Sequence, residues 1–308
     1  MQFNHISVLK QESIDGLNIK PNGIYVDCTL GGGGHSLEIA KKLTTGRLIC
    51  FDKDEDAIKY ASGVLKDHLN KITIIHDNFK NIKQRLNELA IDKVDGILCD
   101  LGVSSYQLDT AERGFSYRYD ARLDMRMDKS KGISAYDVVN TYSDKDLQKI
   151  LFSYGEEKNT FAIVKKIINQ RKIKPIETTF ELKDIVTSCY PPKDRNKPAL
   201  CNKVFQAIRI EVNNELNDLD SLEDMIGLLN EKGRLCVITF HPLEDRICKN
   251  LFRLHATECL CPANFPKCVC GHKADIKLIS RKPVMPSAEE LEYNSRSASA
   301  KLRIIEHI

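Results

Sequence analysis

A short apolar run that ends in an acid and meets four consecutive glycines, Ile24-Tyr25-Val26-Asp27-Cys28-Thr29-Leu30-Gly31-Gly32-Gly33-Gly34, constrains this chain more than any other stretch. An apolar-periodic segment from Leu37 to Leu43 follows closely, so the pattern predicts strand, tight turn, helix. Without Cβ atoms the glycines can take φ > 0 and let the backbone come close to a ligand, which is how nucleotide-type cofactors are seated at the carboxyl ends of parallel strands. Glycines before a helix also make ordinary loops. Here, however, a second strand from Arg47 to Phe51 ends at Asp52, the interval of about twenty residues at which a second-strand acid meets ribose hydroxyls.

The dinucleotide fingerprint is not met. Counted from Gly31 its third glycine would fall on Ser36, and counted from Gly32 on Leu37. An acid closing the first strand, Asp27, suits a cofactor that carries an amino group better than one presenting a pyrophosphate. S-adenosylmethionine is such a cofactor, with NAD the alternative.

The alternation continues for a hundred residues. Asp54 opens an acid-first helix, Lys71 to His76 reads as a third strand followed by Phe79, and Val94 to Cys99 reads as a buried fourth strand ending at Asp100. Phe79 could cover a purine or pack beneath a loop; the pattern does not choose. Asp27, Asp52, Asp100 and the glycines all fall on one edge of a parallel sheet, where open α/β folds bind ligands, and Asp100 is the first candidate for contact with the reacting centre. From about residue 105 to 199 no buried strand is predicted, only amphipathic helices, one of them behind a capping box at Thr178-Thr179-Phe180-Glu181. This is read as a helical domain inserted between a first sheet segment, 1–104, and a second, 200–308. A strand from Gly233 to Phe240 then returns to the ligand edge at His241, which could act as a base or orient Glu244 or Asp245. Segments 275–279 and 300–305 look like a closing antiparallel pair, the arrangement of a class I S-adenosylmethionine-dependent methyltransferase with a Rossmann-like seven-stranded sheet.

Composition bounds the rest. With 308 residues, 42% hydrophobic and 29% charged, the chain suits one large or two moderate domains and falls outside disordered and membrane classes. A net charge of +3 admits a nucleic-acid partner without arguing for one. Residues 1–10 show no secretory pattern, so a cytoplasmic protein is expected. Cys28, Cys50, Cys99 and Cys236 lie in apolar runs as small buried residues, with reduced thiols expected. Cys259-Leu260-Cys261 and Cys268-Val269-Cys270 could ligate zinc, but Cys-x-Cys spacing is unusual for that metal. A turn-rich loop with Pro262 and Pro266 is the plainer reading, and no metal is expected. Between Arg113 and Lys131 arginines alternate with aromatics and acids. Composition alone favours a solvated, ion-paired loop over an RNA-binding one.

Gly33-Gly34-His35-Ser36, Asp100-Leu101-Gly102-Val103-Ser104-Ser105, Arg113-Gly114-Phe115-Ser116, Leu123-Asp124-Met125-Arg126-Met127-Asp128, Tyr154-Gly155-Glu156-Glu157, Phe205-Gln206-Ala207-Ile208-Arg209-Ile210 and Leu243-Glu244-Asp245-Arg246 together resemble the RsmH (MraW) ribosomal RNA methyltransferases, in order and over nearly the whole chain. The resemblance implies methyl transfer from S-adenosylmethionine to N4 of a cytidine in the decoding region of bacterial 16S rRNA, within the small ribosomal subunit. It implies cofactor contacts at Gly33, Gly34, His35, Asp52, Phe79, Asp100 and Gln107. From their places on the ligand edge, Asp100 and His241 are the catalytic candidates, Asp100 to polarise the amine and His241 to assist proton loss. The resemblance also turns the arginine and aromatic stretch into expected RNA contacts at Arg113, Phe115, Arg118, Arg122 and Arg126. Pro242 departs from the family, which usually has serine there. A non-catalytic ribosome-assembly factor and an NAD-dependent oxidoreductase are the other classes considered. No protein partner is inferred, and a monomer or a homodimer is admissible.

Overall fold

A computed structural model of the chain describes residues 6–195, 199–262, 265 and 267–308; the sequence readings at residues 1–5 and at Pro266 lie outside these. The chain divides into two units, one formed by Met1–Gly102 with Leu216–Ile308 and one by Val103–Glu215.

The first unit is built on seven strands: β1 Ile24–Asp27, β2 Arg47–Asp52, β3 Ile72–His76, β4 Val94–Asp100, β5 Leu229–Thr239, β6 Ile276–Leu278 and β7 Lys301–His307. Their order across the sheet is β3-β2-β1-β4-β5-β7-β6. The first five pair in parallel, while β7 runs antiparallel to both β5 and β6. This is the class I arrangement expected from the sequence. Side chains on the inner strands alternate between two apolar layers, as the pleat requires. Val26, Ile49, Phe51, Ile97, Val237 and their layer meet the helices Ile82–Glu88, Ser221–Gly227 and Pro242–His255. Tyr25, Leu48, Cys50, Leu98 and Ile238 supply the other layer, covered by Lys10–Leu17, Gly34–Lys42 and Glu55–Val64. Cys28, just past β1, and Cys50, Cys99 and Cys236 within strands are buried free thiols. Chain order reverses at β1, which has β2 on one side and β4 on the other, so the crevice for a ligand opens outside the carboxyl ends of β1 and β4.

The second unit is helical, with no strand among its described residues. Ala135–Thr141, Asp144–Gly155, Thr160–Arg171 and Thr179–Ser188 pack around Val138, Leu151, Ile163, Ile167 and Leu182. The capping box at Thr178 and Glu181 forms as expected. The unit ends later than the boundary at residue 199 read from the sequence. Helix Ala199–Asn213 belongs to it, because Val204, Phe205, Ala207 and Ile208 are buried in this core. Arg209 then pairs with Glu215 through two hydrogen bonds of 2.8 and 2.9 Å, which closes the unit. Among the described residues of the whole chain, no helix is long and apolar enough to cross a membrane.

Candidate active site

Left-handed glycines make the turn after β1. Gly31 has φ 49° and Gly33 φ 79°, a region that costs other residues about 1–2 kcal/mol. Gly33 precedes helix Gly34–Lys42 with no side-chain cap, so the first N–H groups of the helix can serve an anionic group. Asp52 holds the turn from β2: its Oδ2 accepts from the Gly31 N–H at 2.8 Å and its Oδ1 from the Asp54 N–H at 2.8 Å. Burial pushes its carboxyl up to about 6 against the pull of those two donors.

Asp27 differs from the sequence reading, in which it faces a cofactor's amino group. It is almost wholly buried, and its oxygens accept from Ser36 Oγ at 2.6 Å and the Thr29 N–H at 3.1 Å. The carboxylate is turned inward to lock the glycine turn onto its helix. Strand periodicity shows where a strand ends but not which way its last side chain rotates.

Asp100 closes β4. Its N–H donates to Thr29 Oγ1 at 2.7 Å, tying the ends of β1 and β4 together. His35, held by a 3.1 Å contact of Nε2 with the Val8 carbonyl, brings Nδ1 within 3.6 Å of Asp100 Oδ2, too far for a hydrogen bond. Asp100 Oδ1 is buried with no hydrogen-bond partner, although the side chain as a whole is 18% exposed. Burial raises this carboxyl well above the usual carboxylate range, and the negative charges of Asp27, Glu244 and Glu290 raise it further.

Glu244 and Glu290 enter the site only through the fold. Glu244 accepts from the Phe240 N–H at 2.9 Å, and Glu290 from the Leu9 N–H at 2.9 Å, so both are fixed by backbone donors. Glu244 stood in the sequence only as a possible partner of His241. Glu290 carried no signal, since it lies nearly two hundred residues from Asp100 in an acidic surface-like helix.

His241 caps helix Pro242–His255, its Nδ1 accepting from the Glu244 N–H at 3.5 Å in a reciprocal capping box. Its Nε2 lies 3.1 Å from Glu244 Oε1, close in distance but not aligned as a hydrogen bond. The ring is buried beside Glu244, one of the two acids that the sequence reading has it orient. Pro242 occupies the first helical position, where the missing N–H costs no helical hydrogen bond. Phe79 sits just beyond β3, partly buried against the sheet core, with Asn78 beside it anchored to Asp218 at 2.7 Å.

The remaining predicted residues lie in the second unit. Gln107 is buried, and its Oε1 accepts from the Ser104 N–H at 3.0 Å as half of a capping box. Of the five expected RNA contacts, two are not on the surface. Arg113 is 4% exposed and donates to the carbonyls of Arg126 and Met127, each at 3.0 Å. Phe115 is 6% exposed, packed in the helical core with the Arg113 guanidinium 5.8 Å over its ring. Arg126 grips Asp124 through two 2.8 Å hydrogen bonds. Arg118, Arg122 and Tyr119 are exposed.

A buried carboxylate oxygen without a partner, in a field of acids at the reversal of strand order, calls for a hydrogen-bond donor or a cation. S-adenosylmethionine brings a sulfonium and an ammonium and fits that field. A dinucleotide would bring a pyrophosphate to the same edge, and does not.

A family model described as the MraW methylase family matches residues 2–308. Curated relatives include ribosomal RNA small subunit methyltransferase H of Finegoldia magna, 56% identical over 100% of both chains. The proteins of the same name from Clostridioides difficile and Clostridium botulinum strain Kyoto are 52% and 56% identical, again over 100% of each chain.

Proposed function

The chain belongs to the MraW methylase family, and from that premise we propose that it methylates N4 of a cytidine in the decoding region of 16S rRNA, within the small ribosomal subunit and in the cytoplasm. The observation that carries this reading at the level of chemistry is Asp100 Oδ1, buried and unpartnered at the cofactor edge. S-adenosylmethionine, when bound, supplies a methyl carbon already activated by its sulfonium.

The exocyclic amine of cytosine is a weak nucleophile because its lone pair is conjugated into the ring. Asp100 accepts a hydrogen bond from that amine, draws it toward tetrahedral geometry and takes the proton the nitrogen gives up as its new bond to carbon forms. A carboxyl raised by burial and by neighbouring acids is a stronger base than an exposed one, which suits this task. The Gly33-Gly34 turn, the helix start behind it, His35, Asp52 and Phe79 hold the cofactor. Arg118, Arg122 and Tyr119 contact RNA phosphates and bases, and the target leaves its stack at a cost of about a few kcal/mol.

Asp52 makes the cofactor site pH-dependent. Its value in the fold lies above the ordinary value near 4, so in the ligand-free protein its stabilising contribution is full below about pH 4 and is lost as pH rises through about 6. Ribose hydroxyls donate more strongly to the ionised form than to the protonated one. The dissociation constant for S-adenosylmethionine is therefore expected to be flat above about pH 7 and to weaken as pH falls through about 6, by at most about tenfold per pH unit. Calorimetric titration over this range checks it, and Asp52→Asn is expected to abolish the step. The same titration tests the proposed function: S-adenosylmethionine binds and NAD does not, whereas NAD binding without affinity for S-adenosylmethionine would refute the reading.

A further inference from the structure

Four cysteines converge well away from the cofactor edge in the chain between helix Pro242–His255 and β6. Cys259 Sγ lies 3.4 Å from Cys268 Sγ and 3.8 Å from Cys270 Sγ, with 3.6 Å between Cys268 and Cys270. All four sulfurs, that of Cys261 included, lie within 4.8 Å of one another. These separations are far beyond a disulfide bond of about 2.05 Å. They match a different geometry: four sulfurs placed 2.3 Å from one ion at the corners of a tetrahedron stand about 3.8 Å apart.

The backbone around the cluster is arranged for thiolates. The Leu260 N–H donates to Cys270 Sγ at 3.4 Å, the Cys261 N–H to Cys259 Sγ at 3.4 Å and the Val269 N–H to Cys261 Sγ at 3.3 Å. Such donors orient metal-bound sulfur and spread its charge. His272, the other candidate ligand, contacts the Leu254 carbonyl through Nε2 at 3.1 Å and is not among the converging groups. The donor set is therefore four sulfurs.

The described residues of the connection have little regular structure or apolar burial to hold their shape. Among the described residues of 256–275 there is no helix or strand, and Leu260, Phe265 and Val269 are 49%, 50% and 73% exposed. A structureless loop of this length is uncommon in a compact domain unless something ties it down. Its ends are tied, by Asp275 N–H to the His255 carbonyl at 3.2 Å and by His255 Nδ1 to Asp275 Oδ1 at 2.8 Å. Across its middle, among the described residues, the side-chain contacts are those of the cysteines and that of His272 with the Leu254 carbonyl.

We propose that Cys259, Cys261, Cys268 and Cys270 bind one zinc ion in a closed, structural site that folds the connection between helix Pro242–His255 and β6. This replaces the turn-rich loop of reduced thiols expected from the sequence. Zinc takes four thiolates in tetrahedral geometry, needs no open position here, and compensates for apolar burial that this loop does not have.

The full chain, purified without a histidine tag under reducing conditions, is expected to carry one zinc per chain by elemental mass spectrometry, with X-ray absorption giving four sulfur neighbours at about 2.3 Å. Cys268→Ser/Cys270→Ser should lose the metal. In case that variant does not fold, zinc is instead stripped from the intact protein with a mercurial and a chromogenic chelator. One equivalent should be released, and proteolytic cleavage within 256–275 should appear while S-adenosylmethionine affinity stays within about twofold. Sub-stoichiometric zinc after reconstitution of the reduced protein, iron in its place, or nitrogen and oxygen neighbours instead of sulfur would each overturn the proposal.

Discussion

Asp100→Asn is expected to lower the single-turnover rate of methyl transfer by about 10² to 10⁴-fold, the range for removing a positioned general base, while the dissociation constant for S-adenosylmethionine changes by less than about tenfold. Asparagine keeps the shape of the side chain and the 2.7 Å hydrogen bond from the residue 100 N–H to Thr29 Oγ1, so the ends of β1 and β4 stay together. What it removes is the ability to take a proton. It also removes a charge that burial and the acids Asp27, Glu244 and Glu290 disfavour. The sign follows: a carboxyl raised in the fold costs stability once ionised, so at neutral pH the ligand-free variant should melt at a higher temperature than the parent. Slower chemistry with a more stable protein separates a catalytic loss from a structural one. Unchanged single-turnover methylation would remove Asp100 from the chemistry.

Arg113→Ala and the pair Arg118→Ala and Arg122→Ala should fail in opposite ways, although all three arginines lie within one short basic stretch. The Arg113 guanidinium is buried and satisfies the carbonyls of Arg126 and Met127. Its loss leaves those acceptors without their donor and opens space beside Phe115, at a cost of about 3 kcal/mol. That amounts to a fall in melting temperature of about 6–12 °C for a chain of this class. Arg118 and Arg122 are exposed, and their variants should melt like the parent. Each should instead weaken RNA binding and flatten its salt dependence by close to one counterion, as for a phosphate contact. Binding isotherms at several salt concentrations, alongside thermal melts, make the comparison. A parent-like melt for Arg113→Ala would contradict the buried geometry, and unchanged salt slopes for the other two would take them out of the RNA surface.

The sheet was legible because its strands are short apolar runs punctuated by acids and glycines, and β1 to β4 fall close to where that pattern puts them. Orientation was less so. Asp27 and Asp100 look alike in the sequence, each an acid at the end of a strand, yet one turns inward to Ser36 and the other leaves an oxygen unpartnered. The stretch from Arg113 to Arg126 shows the same limit: Phe115, Tyr117 and Tyr119 alternate with polar neighbours, but burial decreases along them from core to surface. The end of the helical unit was unreadable because helix Ala199–Asn213 brings no change of composition. Only the packing of Phe205 and Ile208 into the second core assigns it there. Glu290 depends on chain segments meeting across the fold, which local pattern does not encode. The spacing of the two Cys-x-Cys pairs speaks against a metal, and it is the convergence of their four sulfurs within 4.8 Å that favours one.

The most direct test of the central claim is transfer of labelled methyl from S-adenosylmethionine to small ribosomal subunits that lack the modification, followed by nucleoside analysis of the digested 16S rRNA. Label recovered as an N4-methylated cytidine from the decoding region is the predicted result. Label on a ring carbon or a ribose, or subunits that bind the protein and acquire no label, would contradict it.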